Sequence, residues 1–215
     1  VNEWNRKPEE GLNLLEKSIT PDSSVMMVLA YTRLVYKQRG AQAALPMLKK
    51  IAETDPDEVG VLNLLAHAQE ECGEAAGSEK TAYQALQLHP NQADLNLLMG
   101  RLKRRGGQLD QSVHYLSEAI RQDSDSIDAY LELGKTYVDR REMVQALHTY
   151  EKAIKADPSD YRPYYQAGIV LRESKDYIGA EAMLRRAAEL APQDVNIRRL
   201  LGAVITLNLI HNSQE

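Results

Sequence analysis

Apolar residues return at helical spacing along nearly the whole chain. SIDAYLELGKTYV, from Ser126 to Val138, and MVQALHTYEKAI, from Met143 to Ile154, each carry one apolar stripe on a polar background. No stretch sustains the one-on, one-off alternation of a strand. Short polar segments separate the stripes: RRGGQLD (Arg104 to Asp110) and ESKDY (Glu173 to Tyr177) carry turn residues. The pattern predicts helices of about a dozen residues joined in pairs by tight turns.

The pairs recur with a fixed period. Pro56, Pro90, Pro158 and Pro192 lie on a 34-residue grid, with Ser124 at the remaining grid point. Asp55, His89, Asp123, Asp157 and Ala191 precede them. Five repeats follow, 25–58, 59–92, 93–126, 127–160 and 161–194, starting at Val25, Val59, Ala93, Ile127 and Tyr161. Their eighth position reads Thr32, Ala66, Gly100, Gly134, Gly168, and Gly202 is next in line. The twentieth reads Ala44, Ser78, Ser112, Ala146, Ala180, and the twenty-seventh Ile51, Ala85, Ala119, Ala153, Ala187. Leu48, Leu116, Tyr150 and Leu184 hold the twenty-fourth, with Ala82 the exception. Glycine inside a helix costs about 1 kcal/mol against Ala. Its recurrence opposite a large side chain predicts a notch through which the two helices of a pair cross at close range.

Residues 1–24 and 195–215 flank the repeats. Pro8 to Ile19 reads as the second helix of a preceding pair, with Pro8 suited to a helix start. Val195 to about Asn208 reads as a first helix without its partner. LLGAVITLNLI is apolar for an end cap, as expected of a chain cut inside a longer array or of a face that meets another copy. Trp4 is expected to pack on the first helix, and Pro46 to bend the second helix that contains it.

At Ile127–Asp160 the chain resembles the tetratricopeptide repeat family, through Tyr130, Leu133, Gly134, Tyr137, Ala146, Tyr150, Ala153 and Pro158. Tyr161–Asp194 is similar, through Tyr164, Ala167, Gly168, Leu171, Ala180, Leu184, Ala187 and Pro192. The repeat at Val59 departs at Gln69 and Ala82. The repeat at Ala93 departs at Asn96 and Lys103, so its first helix is expected to be shifted or loosened. The resemblance implies an all-α, right-handed superhelical solenoid of antiparallel helix pairs, with the first helices lining a concave face.

That face is read by position. Position nine carries Arg33, His67, Arg101 and Lys135, then Ile169. Position five carries Leu29, Asn63, Leu97, Leu131 and Tyr165, and position two Met26, Gly60, Asp94, Asp128 and Arg162. A basic row beside a mostly apolar one suits a peptide or helix with acidic and apolar side chains, since guanidinium groups grip carboxylates in bidentate fashion. Arg33, Asn63, His67, Arg101, Lys135 and Tyr165 are the expected contact residues. The plainer alternative is a solvated surface whose cations pair locally with Glu132, Glu70 or Asp139. The family's carboxylate clamp of Lys and Asn is not matched: position five has no Lys, and position six reads Ala30, Leu64, Leu98, Glu132, Gln166. The Asn ladder of the family's sugar-transferring enzymes is also missing from position six.

Composition narrows the function further. The 215 residues are 43% hydrophobic and 27% charged, with a formal net charge of −5, which speaks against a nucleic-acid coat. GRLKRRGG (Gly100 to Gly107) reads as a helix C-terminus whose basic residues complement the dipole. The single Cys72 admits no internal disulfide, and Glu70, Glu71 and Glu74 beside it oppose thiolate chemistry. His114 and His148 occupy equivalent positions, but no Cys or carboxylate pattern joins them into a metal site. The reading is therefore a non-catalytic binding scaffold for a protein or peptide partner, with no cofactor, metal, nucleic acid or membrane. A self-association or spacer module working through the terminal helices, giving a homo-oligomer, and a regulatory part of a longer enzyme are the alternatives. No apolar run reaches membrane length, and the sequence starts at Val1 without Met or a signal-like apolar stretch, so a trimmed or processed chain that could have lost a targeting segment is expected, in the cytoplasm.

Overall fold

The computed structural model describes residues 8–19 and 24–212; Trp4 lies outside them. Among the described residues twelve helices follow in order: α1 (Pro8–Ser18), α2 (Val25–Arg39), α3 (Ala41–Thr54), α4 (Val59–Glu71), α5 (Ala75–Leu88), α6 (Ala93–Arg105), α7 (Leu109–Gln122), α8 (Ile127–Asp139), α9 (Met143–Ala156), α10 (Tyr161–Glu173), α11 (Tyr177–Leu190) and α12 (Val195–Asn212). No strand occurs among them. The chain divides into two compact halves, Val1–Leu98 and Met99–Glu215, with the division inside α6.

Local chemistry ends and restarts each helix. Asp55, His89, Asp157 and Ala191, each before a proline, close α3, α5, α9 and α11 with φ between −140° and −130°. The ring of the following proline disfavours helical backbone in that residue. Asp123 adopts φ −136° ahead of Ser124, so the repeat holds this geometry even without the ring. Ser126 and Asp160 then cap α8 and α10 by accepting the amides of Ala129 and Arg162.

Inside each pair the turn needs one left-handed residue. Gly73 (φ 81°) and Gly107 (φ 74°) supply it without strain. Arg141 (φ 65°) and Lys175 (φ 64°) occupy the same place with a side chain. The reverse bonds that close the helix survive there, with Glu142 N donating to Tyr137 O at 2.9 Å and Asp176 N to Leu171 O at 2.9 Å.

The first half packs α1 to α4 around Leu12, Leu29, Tyr31, Val35, Ala44, Leu48, Ile51, Val61 and Leu65, and α5 packs on α4. Ser78 Oγ donates to Ala66 O at 2.7 Å, which shows how closely α4 and α5 approach. α6 is a full thirteen-residue helix rather than a loosened one. Asn96 is buried in it because its amide donates to Pro90 O and Gln92 O at 3.4 and 3.0 Å. α3 runs unbroken through Pro46.

The second half shows the notch directly. Gly168 faces Leu184, and a methyl group on it would lie 2.7 Å from Leu184 Cγ. Gly100 meets Leu116 and Gly134 meets the ring of Tyr150 in the same way. Tyr164, one turn earlier than Gly168, meets Arg186, two residues beyond Leu184, so α10 and α11 run antiparallel. α12 closes this half by burying Ile197 and Val204, the latter against Ala180 and Leu184. A methyl group on Gly202, on α12, would meet nothing outside its own helix backbone within 4 Å among the described residues.

Two stability measurements check these arguments. Gly168→Ala forces Leu184, fully buried, to move and should lower stability by about 1–3 kcal/mol, as overpacking does. Gly202→Ala meets no obstacle and should raise it by up to about 1 kcal/mol. Urea midpoints shifted with equal sign for the two would refute the notch. Lys175→Gly should raise stability by about 1 kcal/mol, because it relieves a left-handed backbone; an unchanged or lower melting temperature would count against strain there.

Candidate functional site

In the second half the first helices α6, α8 and α10 and the start of α12 line a cavity of 340 Å³. Arg101, Lys135 and Tyr165, three of the residues singled out in the sequence, stand on its wall with Leu131, Gln166 and Asn196. Asp128, Glu132, Arg162 and Asp194 complete the charged part of the wall. The lining therefore balances three cations against three carboxylates.

The charges form a ladder across the three helices. Arg162 Nη1 donates to Asp128 Oδ1 at 2.6 Å, and its other nitrogens hold Asp160 at 2.6–3.1 Å. Glu132, only 11% exposed, accepts from Lys135 Nζ at 3.0 Å and from Arg104 Nε at 3.2 Å. Arg104 also reaches Asp139 at 3.2 Å. Arg101 is different: its nearest carboxylates, Asp128 and Glu132, lie 4.0 and 3.9 Å away, an attraction without a hydrogen bond. Its donors face the cavity with capacity to spare.

Charge environment moves the ionisable groups accordingly. Burial alone would raise the Asp160 carboxyl, but the Arg162 guanidinium and backbone amide hold it below the ordinary carboxylate range. Arg162 is pushed up by the hydrogen bond to Asp160 and, further, by Asp128. Tyr150, under the same face, is pushed up by burial and then by Glu132.

The first half places its three candidates differently. Asn63 Nδ2 donates to Asp94 Oδ2 at 2.7 Å, and His67 Nε2 lies 3.9 Å from the same oxygen. Arg33 is exposed, its guanidinium standing over Gly60. The structure thus gathers Arg101, Lys135 and Tyr165 at one cavity and Asn63 with His67 at one carboxylate. The wall residues Asp128 and Arg162 are not among the six. Their signal is a spacing: position nine of one repeat meets position two of the next, 27 residues on, as in His67–Asp94 and Arg101–Asp128. A second hollow of 310 Å³ lies among Tyr130, Leu133, Tyr137, His148 and Lys152.

Among the described residues no three His, Cys, Asp or Glu side chains gather as a metal-ligand set, and no helix is long and apolar enough to cross a membrane.

Residues 97–161 and 131–195 match the family model described as Tetratricopeptide repeat. No curated protein sequence matches the chain. Among solved structures, MamA is 21% identical with a TM-score of 0.70, over 75% of this chain and 95% of MamA. YrrB, described as a TPR protein with an unusual peptide-binding site, is 16% identical with a TM-score of 0.69, over 89% of this chain and 97% of YrrB. TTC0263, a thermophilic TPR protein of Thermus thermophilus, is 17% identical with a TM-score of 0.64, over 85% of this chain and 100% of TTC0263. These likenesses establish a shared fold of tetratricopeptide repeats.

The cap that shapes the wall is testable. Asp160→Ala should cost about 1–2 kcal/mol at neutral pH. Its folded pKa is depressed, so the wild-type advantage is present above the unfolded value of about 4 and is lost as pH falls through the folded one. A difference in stability that stays constant down to acid pH would show that the carboxylate charge plays no part.

Proposed function

We propose that the chain, a tetratricopeptide-repeat protein over the residues 97–195, is a non-catalytic scaffold that holds a segment of a protein partner against its first helices. The observation that carries this reading is Arg101. A guanidinium at the wall of a 340 Å³ cavity, attracted by two carboxylates yet hydrogen-bonded to neither, is ready to bind a ligand carboxylate at no loss of internal bonds. Tyr161 and Tyr165, both half-buried, offer apolar surface beside it, so the ligand pairs an Asp or Glu with an apolar or aromatic side chain.

The balanced wall tempers the affinity of that contact. A ligand carboxylate is attracted by Arg101, Lys135 and Arg162 and repelled by Asp128, Glu132 and Asp194. Correct register is rewarded and a displaced acidic segment is not, so the wall selects more than it attracts. YrrB's peptide-binding description supports the peptide reading for a chain of this fold. In the first half, taken by itself, Asn63, His67 and Arg33 are a separate set of proposed contacts.

Selection of a displayed peptide library on the wild-type chain tests it. Recovered peptides should combine an acidic residue with an apolar one, and Arg101→Glu with Lys135→Glu should weaken them by about tenfold or more, the worth of one charge-assisted hydrogen bond. Binding should also weaken with added salt. Peptides without acidic residues, or binding unchanged in the double variant, would place the function elsewhere.

A further inference from the structure

The cavity of the second half has a spare charge of each sign, on opposite sides of its wall. On the α6 side Arg101 hydrogen-bonds to neither of its carboxylates, which stand 4.0 and 3.9 Å away. On the α12 side stands Asp194, half-buried, the residue before that helix. Its Oδ1 accepts the amides of Asn196 and Ile197 at 2.8 and 3.2 Å and so caps α12. Its Oδ2 has no hydrogen-bond or ion-pair partner among the described residues. Between the two sides the wall is closed on itself, Arg162 with Asp128 and Lys135 with Glu132.

An internal counterpart shows what fits Asp194. Asp160 holds the same place one repeat earlier and caps α10 by accepting Arg162 N at 2.8 Å. The guanidinium of Arg162 takes up the rest of its capacity: Nε and Nη2 donate to Oδ2 at 2.9 and 2.6 Å, and Nε also reaches Oδ1 at 3.1 Å. Two residues beyond Asp194 the chain has Asn196, whose side chain makes no bond to the carboxylate. The capping geometry is kept and the cation is gone, a difference set by those two residues alone. A cation for Asp194 therefore comes from a ligand. Arg suits the place better than Lys, because a guanidinium fork already matches this carboxylate geometry at Asp160.

We propose that the segment held in this cavity carries a charge of each sign, an Asp or Glu for Arg101 and an Arg for Asp194, with its apolar side chain between them against Tyr161 and Tyr165. The proposal rests on the peptide reading of the cavity and adds a direction to it. The segment lies across the first helices in one sense only, acid toward α6 and arginine toward α12. A reversed segment sets its acid against Asp194 and its arginine against Arg101, two repulsions in place of two bonds.

The test selects short linear peptides, displayed on phage, with the full chain and with Asp194→Asn, and measures the recovered peptides by fluorescence anisotropy. Asn caps a helix as well as Asp does, so this variant removes the charge and keeps α12. Wild type should enrich peptides with an acid on one side of an apolar residue and an arginine on the other, in one order. Asp194→Asn should still recover the acid but not the arginine. It should bind the wild-type peptides at least about tenfold more weakly, as expected for the loss of one charge-assisted hydrogen bond. Asn196→Arg rebuilds beside Asp194 the pair that Arg162 makes with Asp160, and should weaken the same peptides as much with circular dichroism unchanged. Peptides that depend on Arg101 but carry no arginine, or carry it in either order, overturn the proposal and leave the acidic-peptide reading standing. So does equal binding of arginine-bearing peptides to wild type and Asp194→Asn. Recovered peptides insensitive to Arg101→Glu overturn both readings.

Discussion

Helix pairs of this kind exist only if their axes come close enough for one large side chain to fill the space between them. At Gly134 the ring of Tyr150 takes the volume that a methyl group would need. The small residues around it, Ala146 and Ala153, are both fully buried for the same reason. Close approach sets the antiparallel crossing, and the crossing sets where the next first helix lies. Ser112 Oγ, 3.0 Å from Thr136 Oγ1, marks that second contact, between α7 and α8. The cavity wall is a consequence. α6, α8 and α10 become neighbours because each is held by its own notch, and their polar residues are thereby brought into one ladder.

The ladder shows how a repeat diversifies. One offset of 27 residues links position nine to position two of the next repeat. It gives His67 with Asp94, Arg101 with Asp128, and then Lys135 with Arg162, two cations. The like-charge pair is compatible with folding because each cation has its own acid: Lys135 turns to Glu132, and Arg162 to Asp160 and Asp128. That diversion draws Asp128 toward Arg162, at 2.6 Å, and leaves it 4.0 Å from Arg101. The unsaturated guanidinium at the cavity is thus the downstream effect of a basic residue two repeats further on.

The fold was legible because its cause is periodic. Gly100, Gly134 and Gly168 recur with their fillers at fixed spacing, and helical packing has no other use for a glycine so placed. The expectation of a loosened α6 failed for a local reason: Asn96 and Lys103 look wrong by hydrophobicity, yet Asn96 is satisfied by two nearby carbonyls. The site was half legible. Position nine named Arg101 and Lys135, because charge on a predicted inner face is visible in a row. Of the carboxylates that share the wall, Glu132 is among the local partners the sequence suggests for the cations and does pair with Lys135, whereas Asp128 belongs to another row and approaches Arg101 only across helices. Reading rows finds which residues face one way; reading diagonals finds which residues neutralise one another.

The wall at Arg101 is half-exposed and charge-balanced, so contacts made there would weaken with salt and depend on register. The inner rows vary freely because packing does not use them: position nine passes from Arg101 and Lys135 to Ile169, while Gly100, Gly134 and Gly168, one residue earlier, stay constant and meet their fillers in the same way. Adjacent positions on one helix thus divide the work, the glycine setting how closely the pair approaches and the next residue setting what charge the wall carries.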